Sequence, residues 1–363
     1  MRRYKRFISA WCCAFLVFFA LHVVIWKLYT EDLLTEKHDG GDLARVAYLW
    51  DLKQPRKDQQ TLPYKHILFE EGMQRAIDMI TVGDSFSNGM GGGLNPYYQD
   101  YIATFNKMQV LALPSYPTSD VVGFASPLST LMVLYNTGFL DRYRPKYILV
   151  QSVERFSIER MSKPLNQITG HTDDYAKILA YYERIKSKPK MPTVNFISTA
   201  NFKTLYYMYQ YRQKKIAREN IRMFRLVAPL FSADDGKTLL VLPDEVSNIS
   251  KITGPNVALM NENLNEVARM LKRKGITLCF MPVVDKYDLY YPWIQNRQAL
   301  PQSQFFEELR TLPKDYLFID TKKILRQELE KGTRDLYFPD DTHWSWRASE
   351  AIFKQVRFTM EGQ

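Results

Sequence analysis

The most uneven feature of the chain is its apolar start. From Ile8 to Trp26 it reads ISAWCCAFLVFFALHVVIW, nineteen residues without Asp, Glu, Lys or Arg. At about 1.5 Å per residue, a helix of that length reaches roughly 28 Å, close to the thickness of a bilayer's hydrocarbon core. Arg2, Arg3, Lys5 and Arg6 precede it, while Lys27, Glu31 and Asp32 follow. The positive-inside rule therefore predicts a cytoplasmic tip (1–7), a single-pass anchor (8–27) in the cytoplasmic membrane, and a body on the periplasmic or extracellular side. A cleaved signal peptide competes with this reading, but its apolar region is usually shorter and ends in small residues, whereas this one ends Val-Ile-Trp-Lys. No later stretch matches the length of this apolar run.

Residues 28–75 are polar and mixed, which predicts a linker or collar. Short apolar runs then alternate with helix-like spacing. Ala76–Val82, Met108–Leu113 and Tyr147–Val153 read as strands, with a helix over Ser126–Leu140. After an interruption the pattern resumes with strands at Lys237–Leu242, Ile276–Val284 and Tyr316–Asp320. Helices are expected at 260–274, closed by Gly275, at Gln302–Leu309 and at Trp346–Phe358. Strands separated by helices predict an α/β domain over 76–363 built on a mostly parallel sheet.

The interruption, 163–226, holds thirteen Lys and Arg against four Asp and Glu, a net of +9 in a chain whose total is +10. It is rich in Tyr and reads as helical over about 172–187 and 199–226, a basic insertion into the α/β body. It suits an anionic glycan, with Tyr stacking on sugar rings, or anionic lipid headgroups; a solvated helix pair with a small Tyr core is the plainer alternative. Composition is otherwise that of an ordinary folded protein, 46% hydrophobic and 24% charged. Of three Cys, two lie in the apolar run and Cys279 stands alone in the body, so no disulfide framework is expected.

Two segments carry candidate chemistry. Gly83-Asp84-Ser85-Phe86-Ser87 follows the first strand of the body, where a serine on a tight turn presents its hydroxyl at the sheet's carboxyl edge and its own amide to an oxyanion. An ordinary turn capped by Asp84 and Ser85 is the alternative. Phe338-Pro339-Asp340-Asp341-Thr342-His343-Trp344-Ser345 precedes the last helix and places two acids within three residues of an imidazole. A carboxylate on one ring nitrogen prepares the other to take a serine's proton. No second His or Cys lies near enough in sequence to suggest a metal, and no cofactor motif is present; Gly91–Gly93 lacks the Gly-Lys-Ser/Thr of a phosphate loop.

Taken together, G-D-S after the first strand and an acid–histidine pair before the last helix resemble the SGNH hydrolase superfamily. D-T-H-W-S, with the upstream Met281-Pro282-Val283-Val284-Asp285-Lys286-Tyr287, is similar to the alginate O-acetyltransferase-type SGNH-like proteins of bacterial envelopes. The resemblance spans roughly 76–358 and leaves the basic insertion unmatched. It implies a three-layer SGNH-like sandwich, with Ser85 as nucleophile, His343 as general base and acid, and Asp341 as the orienting acid. Asp340 is the alternative under the wider superfamily's D-x-x-H spacing. It implies oxyanion donors at Ser85 and Gly123, although the superfamily's third-block Asn is missing after the strand ending Gln151-Ser152-Val153. Arg155, in the Glu154-Arg155 pair, is a substrate-binding candidate or part of an ion pair bracing the sheet. Lys286 and Tyr287 are substrate-binding candidates or surface-loop residues, and Trp344 joins the candidates. The implied activity is acetyl transfer to an envelope polysaccharide or exopolysaccharide, with a separate multispan membrane acyltransferase as donor partner. Membrane lipid is a partner through the N-terminal helix, and nucleic acid is not. An envelope esterase or thioesterase, and a non-catalytic polysaccharide-assembly scaffold, are the competing readings.

Overall fold

A computed structural model describes residues 2–35, 40–56, 61–70, 75–115, 126–165, 180, 195–213 and 219–359. The expected helix at 172–187 lies outside these residues but for one position. The apolar run forms helix α1 (Arg2–Ile25), which continues through a wider turn at Trp26–Thr30 into α2 (Glu31–Leu34). It is the one described helix long and apolar enough to cross a membrane, and it is largely exposed. After it come α3 (Asp42–Ala47), a short 3-10 turn at Trp50–Leu52, and β1 (Ile67–Leu68).

The body follows as β2 (Met79–Gly83), α4 (Tyr98–Asn106), β3 (Val110–Pro114), α5 (Pro127–Asn136), α6 (Phe139–Tyr143), β4 (Tyr147–Val153) and α7 (Glu154–Met161). Next are α8 (Thr199–Arg212), β5 (Arg222–Arg225), β6 (Thr238–Val241), α9 (Asp244–Ser247), α10 (Gly254–Lys272), β7 (Thr277–Val283) and α11 (Lys286–Tyr290). The chain closes with α12 (Phe305–Thr311), β8 (Leu317–Phe318), α13 (Thr321–Glu330) and α14 (Trp346–Gln355).

Six strands form one sheet in the order β1-β3-β2-β4-β7-β8, every neighbouring pair parallel. All residues of β2 and β4 are buried, as are all but the first of β7. Such continuous burial, in place of alternation, means that both faces of the sheet are covered by helices. The result is an α/β three-layer sandwich built on a parallel sheet. From β2 the chain first moves to β3 on one side, then crosses to β4 on the other. The carboxyl ends of β2 and β4 thus flank the topological switch point, the place where open α/β sheets bind ligands.

Several expectations differ from the observed elements. The helix expected over Ser126–Leu140 breaks at Gly138, whose φ of +74° suits a residue without Cβ. The helix expected over 199–226 ends at Arg212, and Arg222–Arg225 is instead a strand. It pairs antiparallel with Thr238–Val241 in a separate two-stranded sheet, so the latter segment does not join the main sheet. Phe224 from this ribbon packs against Tyr287 at a ring separation of 5.4 Å. The expected collar is not merely a spacer. Ile67 and Leu68 extend the main sheet by pairing with Leu111 and Ala112, and residues 41–56 form a strap against the loop before α14.

Candidate active site

Gly83 ends β2 and starts the serine turn. A Cβ there would lie 2.0 Å from Ser87 Oγ and 2.3 Å from Gln151 Oε1, so only glycine allows the chain to turn so tightly against β4. Gln151 fastens the turn. Its Oε1 accepts from the Asp84 N–H at 3.0 Å and from Ser87 Oγ at 2.8 Å, while its Nε2 donates to Asp84 Oδ1 at 2.9 Å. The other Asp84 oxygen accepts from the Val153 N–H at 2.9 Å and Arg160 Nη1 at 2.6 Å. Burial alone would raise the Asp84 pKa, but Arg160 and these donors hold it below the ordinary carboxylate value. Asp84 is therefore a fixed anion beneath the turn, and no helix begins for it to cap until Tyr98.

Ser85 Oγ lies 2.8 Å from His343 Nε2, and His343 Nδ1 lies 2.7 Å from Asp341 Oδ1. The same carboxylate oxygen accepts the His343 backbone N–H at 2.9 Å. Phe86 packs on the imidazole with ring centroids 4.8 Å apart. Burial works to lower the His343 pKa, but the charge and hydrogen bond of Asp341, helped by Asp42, raise it above the usual imidazole value. Asp341 is held well below the carboxylate range because His343 and Arg56 outweigh its burial. A neutral imidazole with its proton on Nδ1, facing Asp341, leaves Nε2 as acceptor for the Ser85 hydroxyl.

Asp340 points elsewhere. It accepts from the backbone N–H groups of Gly41 and Gln54, each at 3.1 Å, and from Arg56 Nη1 at 2.8 Å. Arg56 also reaches Asp341 Oδ2 at 3.1 Å and the Gly91 carbonyl at 3.0 Å, and stacks 3.9 Å above the Phe338 ring. Its side chain is 1% exposed. Asp42 accepts from the Thr342 N–H at 2.8 Å and from the Thr342 hydroxyl, and one of its oxygens is 3.8 Å from His343 Nδ1. Burial, together with the nearby Asp341 charge, pushes its pKa up to about 6. A Cβ on Gly41 would sit 2.0 Å from the Asp340 carbonyl oxygen, so the strap too needs a glycine at its closest approach.

The substrate-binding candidates are all interior. Lys286, 1% exposed, donates to the carbonyls of Phe338, Pro339 and Asp341 at 2.7, 3.1 and 3.1 Å, supporting the acid–histidine loop from below. Burial lowers its pKa to about 8. Arg155 pairs with Asp285, and Glu154 accepts the Asp285 N–H at 2.9 Å, bracing the adjoining ends of β4 and β7. Tyr287 is fully buried, its hydroxyl donating to the Pro301 carbonyl at 2.7 Å. Trp344 is buried edge-on against Phe86 with ring centroids 5.2 Å apart. These four side chains shape the loop and its floor instead of projecting into solvent. Gly123 lies outside the described residues. Gln151 stands in the strand that offered no Asn, but its amide is committed to the serine turn.

Asp42, Asp341 and His343 bring one ligand-type atom each within 4.8 Å of one another. The 2.7 Å contact between Nδ1 and Asp341 is nevertheless a hydrogen bond, well short of the roughly 3.3 Å that separates ligands around a tetrahedral zinc.

Residues that sequence reading did not single out, namely Gly41, Asp42, Arg56, Arg160 and Gln151, supply much of the polar framework. Only Gln151 offered a local signal, an amide side chain within a mostly apolar strand. No curated protein and no solved structure matches the chain. A family model does match residues 211–362, from the end of α8 through the acid–histidine loop, leaving Ser85 outside the matched stretch. That model describes the SGNH hydrolase-like domain of acetyltransferase AlgX, so the carboxyl-terminal part of the chain, 211–362, is similar to that domain.

Proposed function

We propose that this protein is a membrane-anchored O-acetyltransferase working outside the cytoplasm on an envelope polysaccharide or exopolysaccharide. The observation that carries the reading is the continuous Ser85–His343–Asp341 hydrogen-bond chain at the switch point of the sheet. In the proposed first step, His343 Nε2 takes the Ser85 proton as Oγ attacks the acetyl carbonyl, and the Ser85 amide faces the developing oxyanion. The imidazolium, held by Asp341, returns its proton to the departing donor and leaves acetyl-Ser85. A sugar hydroxyl then gives its proton to Nε2, attacks the ester carbonyl and departs acetylated as Ser85 recovers its proton. The α1 helix anchors the protein, and a separate multispan membrane protein supplies the acetyl donor.

The test uses the full chain in lipid nanodiscs with a chromogenic acetyl ester. Ser85→Ala should lower hydrolysis by about a thousandfold or more and abolish labelling by a serine-directed phosphonate. Equal rates in the variant and the parent would overturn the reading. The same triad can use water, so adding an acceptor oligosaccharide and measuring sugar acetate against free acetate separates a transferase from an esterase.

A further inference from the structure

Helix α8 has its polarity inside out. The side facing the protein carries Asn201 and Thr204, each 0% exposed, beside the buried Ala200 and Met208, whereas the outward side carries Phe202, Leu205, Tyr206 and Tyr209 at 37–64% exposure, with Lys203 the charged residue among them. Phe196 and Ile197, just before the helix, are also exposed. A surface helix in water shows the reverse arrangement, and a contiguous apolar and aromatic face of this kind marks an interaction surface.

Contacts with α1 indicate what covers it. The Phe196 ring packs edge-on against Phe19 at 5.6 Å, and Phe202 against His22 at 5.0 Å. Asn201 Nδ2 lies 2.8 Å from His22 Nδ1, giving the one imidazole within the apolar span a buried partner. Further up, Thr30 meets Thr204 at 3.5 Å and Arg212 reaches Asp51 at 2.8 Å. Lys27 is the first charged residue after Arg6. If Trp26 marks the outer edge of the hydrocarbon, His22 and Phe19 lie about 6 and 10 Å beneath it at 1.5 Å per residue. Side chains packed on them share that depth.

We infer that residues 196–209 form a second membrane-inserted element, an obliquely set helix whose aromatic face dips into the outer leaflet beside α1. The occupant of the face is lipid. Tyr206 and Tyr209 sit toward the headgroups, where amphipathic rings are favoured, and Ile197 and Phe202 lie deepest. This inference rests on the reading of α1 as an anchor. It would fix the height and tilt of the body above the bilayer, which a single helix cannot do.

The experiment places one nitroxide at a time on the full chain, with Cys12 and Cys13 replaced by Ala. Cys279 stays, because burial raises its thiol pKa and keeps it unreactive. Label sites are Ile197→Cys, Phe202→Cys and Tyr209→Cys, with Phe15→Cys and Glu266→Cys as membrane and water references. Each labelled protein must keep the parent's thermal midpoint. In phosphatidylethanolamine–phosphatidylglycerol nanodiscs without other proteins, the ratio of oxygen to nickel-chelate accessibility should exceed that at 266 severalfold at 197 and 202, and decline toward 209. Values at 197 and 202 equal to that at 266, with 15 lipid-exposed, would overturn the inference and spare the anchor. Such a result would assign the face to a protein partner. An aqueous value at 15 would overturn both.

Discussion

The two halves of the proposed catalytic centre are held by opposite means. The serine turn is fastened by its neighbours in the sheet: Gln151 and Val153 on β4, and Arg160 one helix later, all around the buried Asp84. The acid–histidine loop rests on Lys286 and is otherwise fastened from the far end of the chain, by Gly41, Asp42, Gln54 and Arg56. Each half buries an acid against an arginine and spends a glycine on a close approach. They differ in what the hold depends on. The serine side is as rigid as the central strands, whereas the histidine side is as secure as a strap, residues 41–56, that lies well before the body of the sheet.

The largest effects should come from the two arginines. Arg56→Met strands Asp340 and Asp341, and Arg160→Met strands Asp84, so each should cost about 3–5 kcal/mol in thermal or denaturant unfolding. The variants should separate kinetically. With His343 titrating above the ordinary 6.5, the acid limb of kcat/KM lies above that of a free imidazole. Loss of the Arg56 charge should move that limb to still higher pH, whereas loss of Arg160 should lower the rate without moving it. Identical shifts in the two variants would erase the distinction between the halves.

Gln151→Leu is next. It leaves the Asp84 N–H and the Ser87 hydroxyl without their acceptor, a cost of about 1–3 kcal/mol, with a fall in kcat and an unmoved pH profile. The smallest effect on stability is expected for Asp42→Asn, below about 1 kcal/mol, since Asn keeps an acceptor for Thr342. Removing that carboxylate should shift the acid limb to lower pH, opposite to Arg56→Met. Stability itself should respond to pH on both sides. The depressed Asp341 contributes above pH 3.8 and its contribution is lost as pH falls through its folded value. The raised His343 contributes below pH 6.5 and its contribution is lost as pH rises through its folded value.

The parallel sheet was legible because its central strands are short, mostly apolar runs, and Tyr147–Val153 matched β4 residue for residue. Ser85 and His343 were conspicuous because each sits in a compact motif at an element boundary. Arg56 was not, since nothing local distinguishes Gln54-Pro55-Arg56-Lys57, and its partners lie 284 and 285 positions away. Lys286 and Tyr287 were correctly placed at the edge of a strand. Whether such an edge opens to solvent depends on what is laid across it, here 338–341 over Lys286, and Pro301 and Phe224 against Tyr287. Arg222–Arg225 read as helix because the surrounding composition is helical, while its strand character comes from pairing with β6.

The strap has a consequence for how the protein is made. Residues 41–56 leave the ribosome first among the parts of the centre, and residues 340–343 nearly last, so the contacts between them close a loop of about 300 positions. Contacts of such separation form late in folding. Ser85 can sit in a finished turn while His343 is still unsynthesised, so the proposed nucleophile stays dormant until the acid–histidine loop has emerged and the strap has captured it.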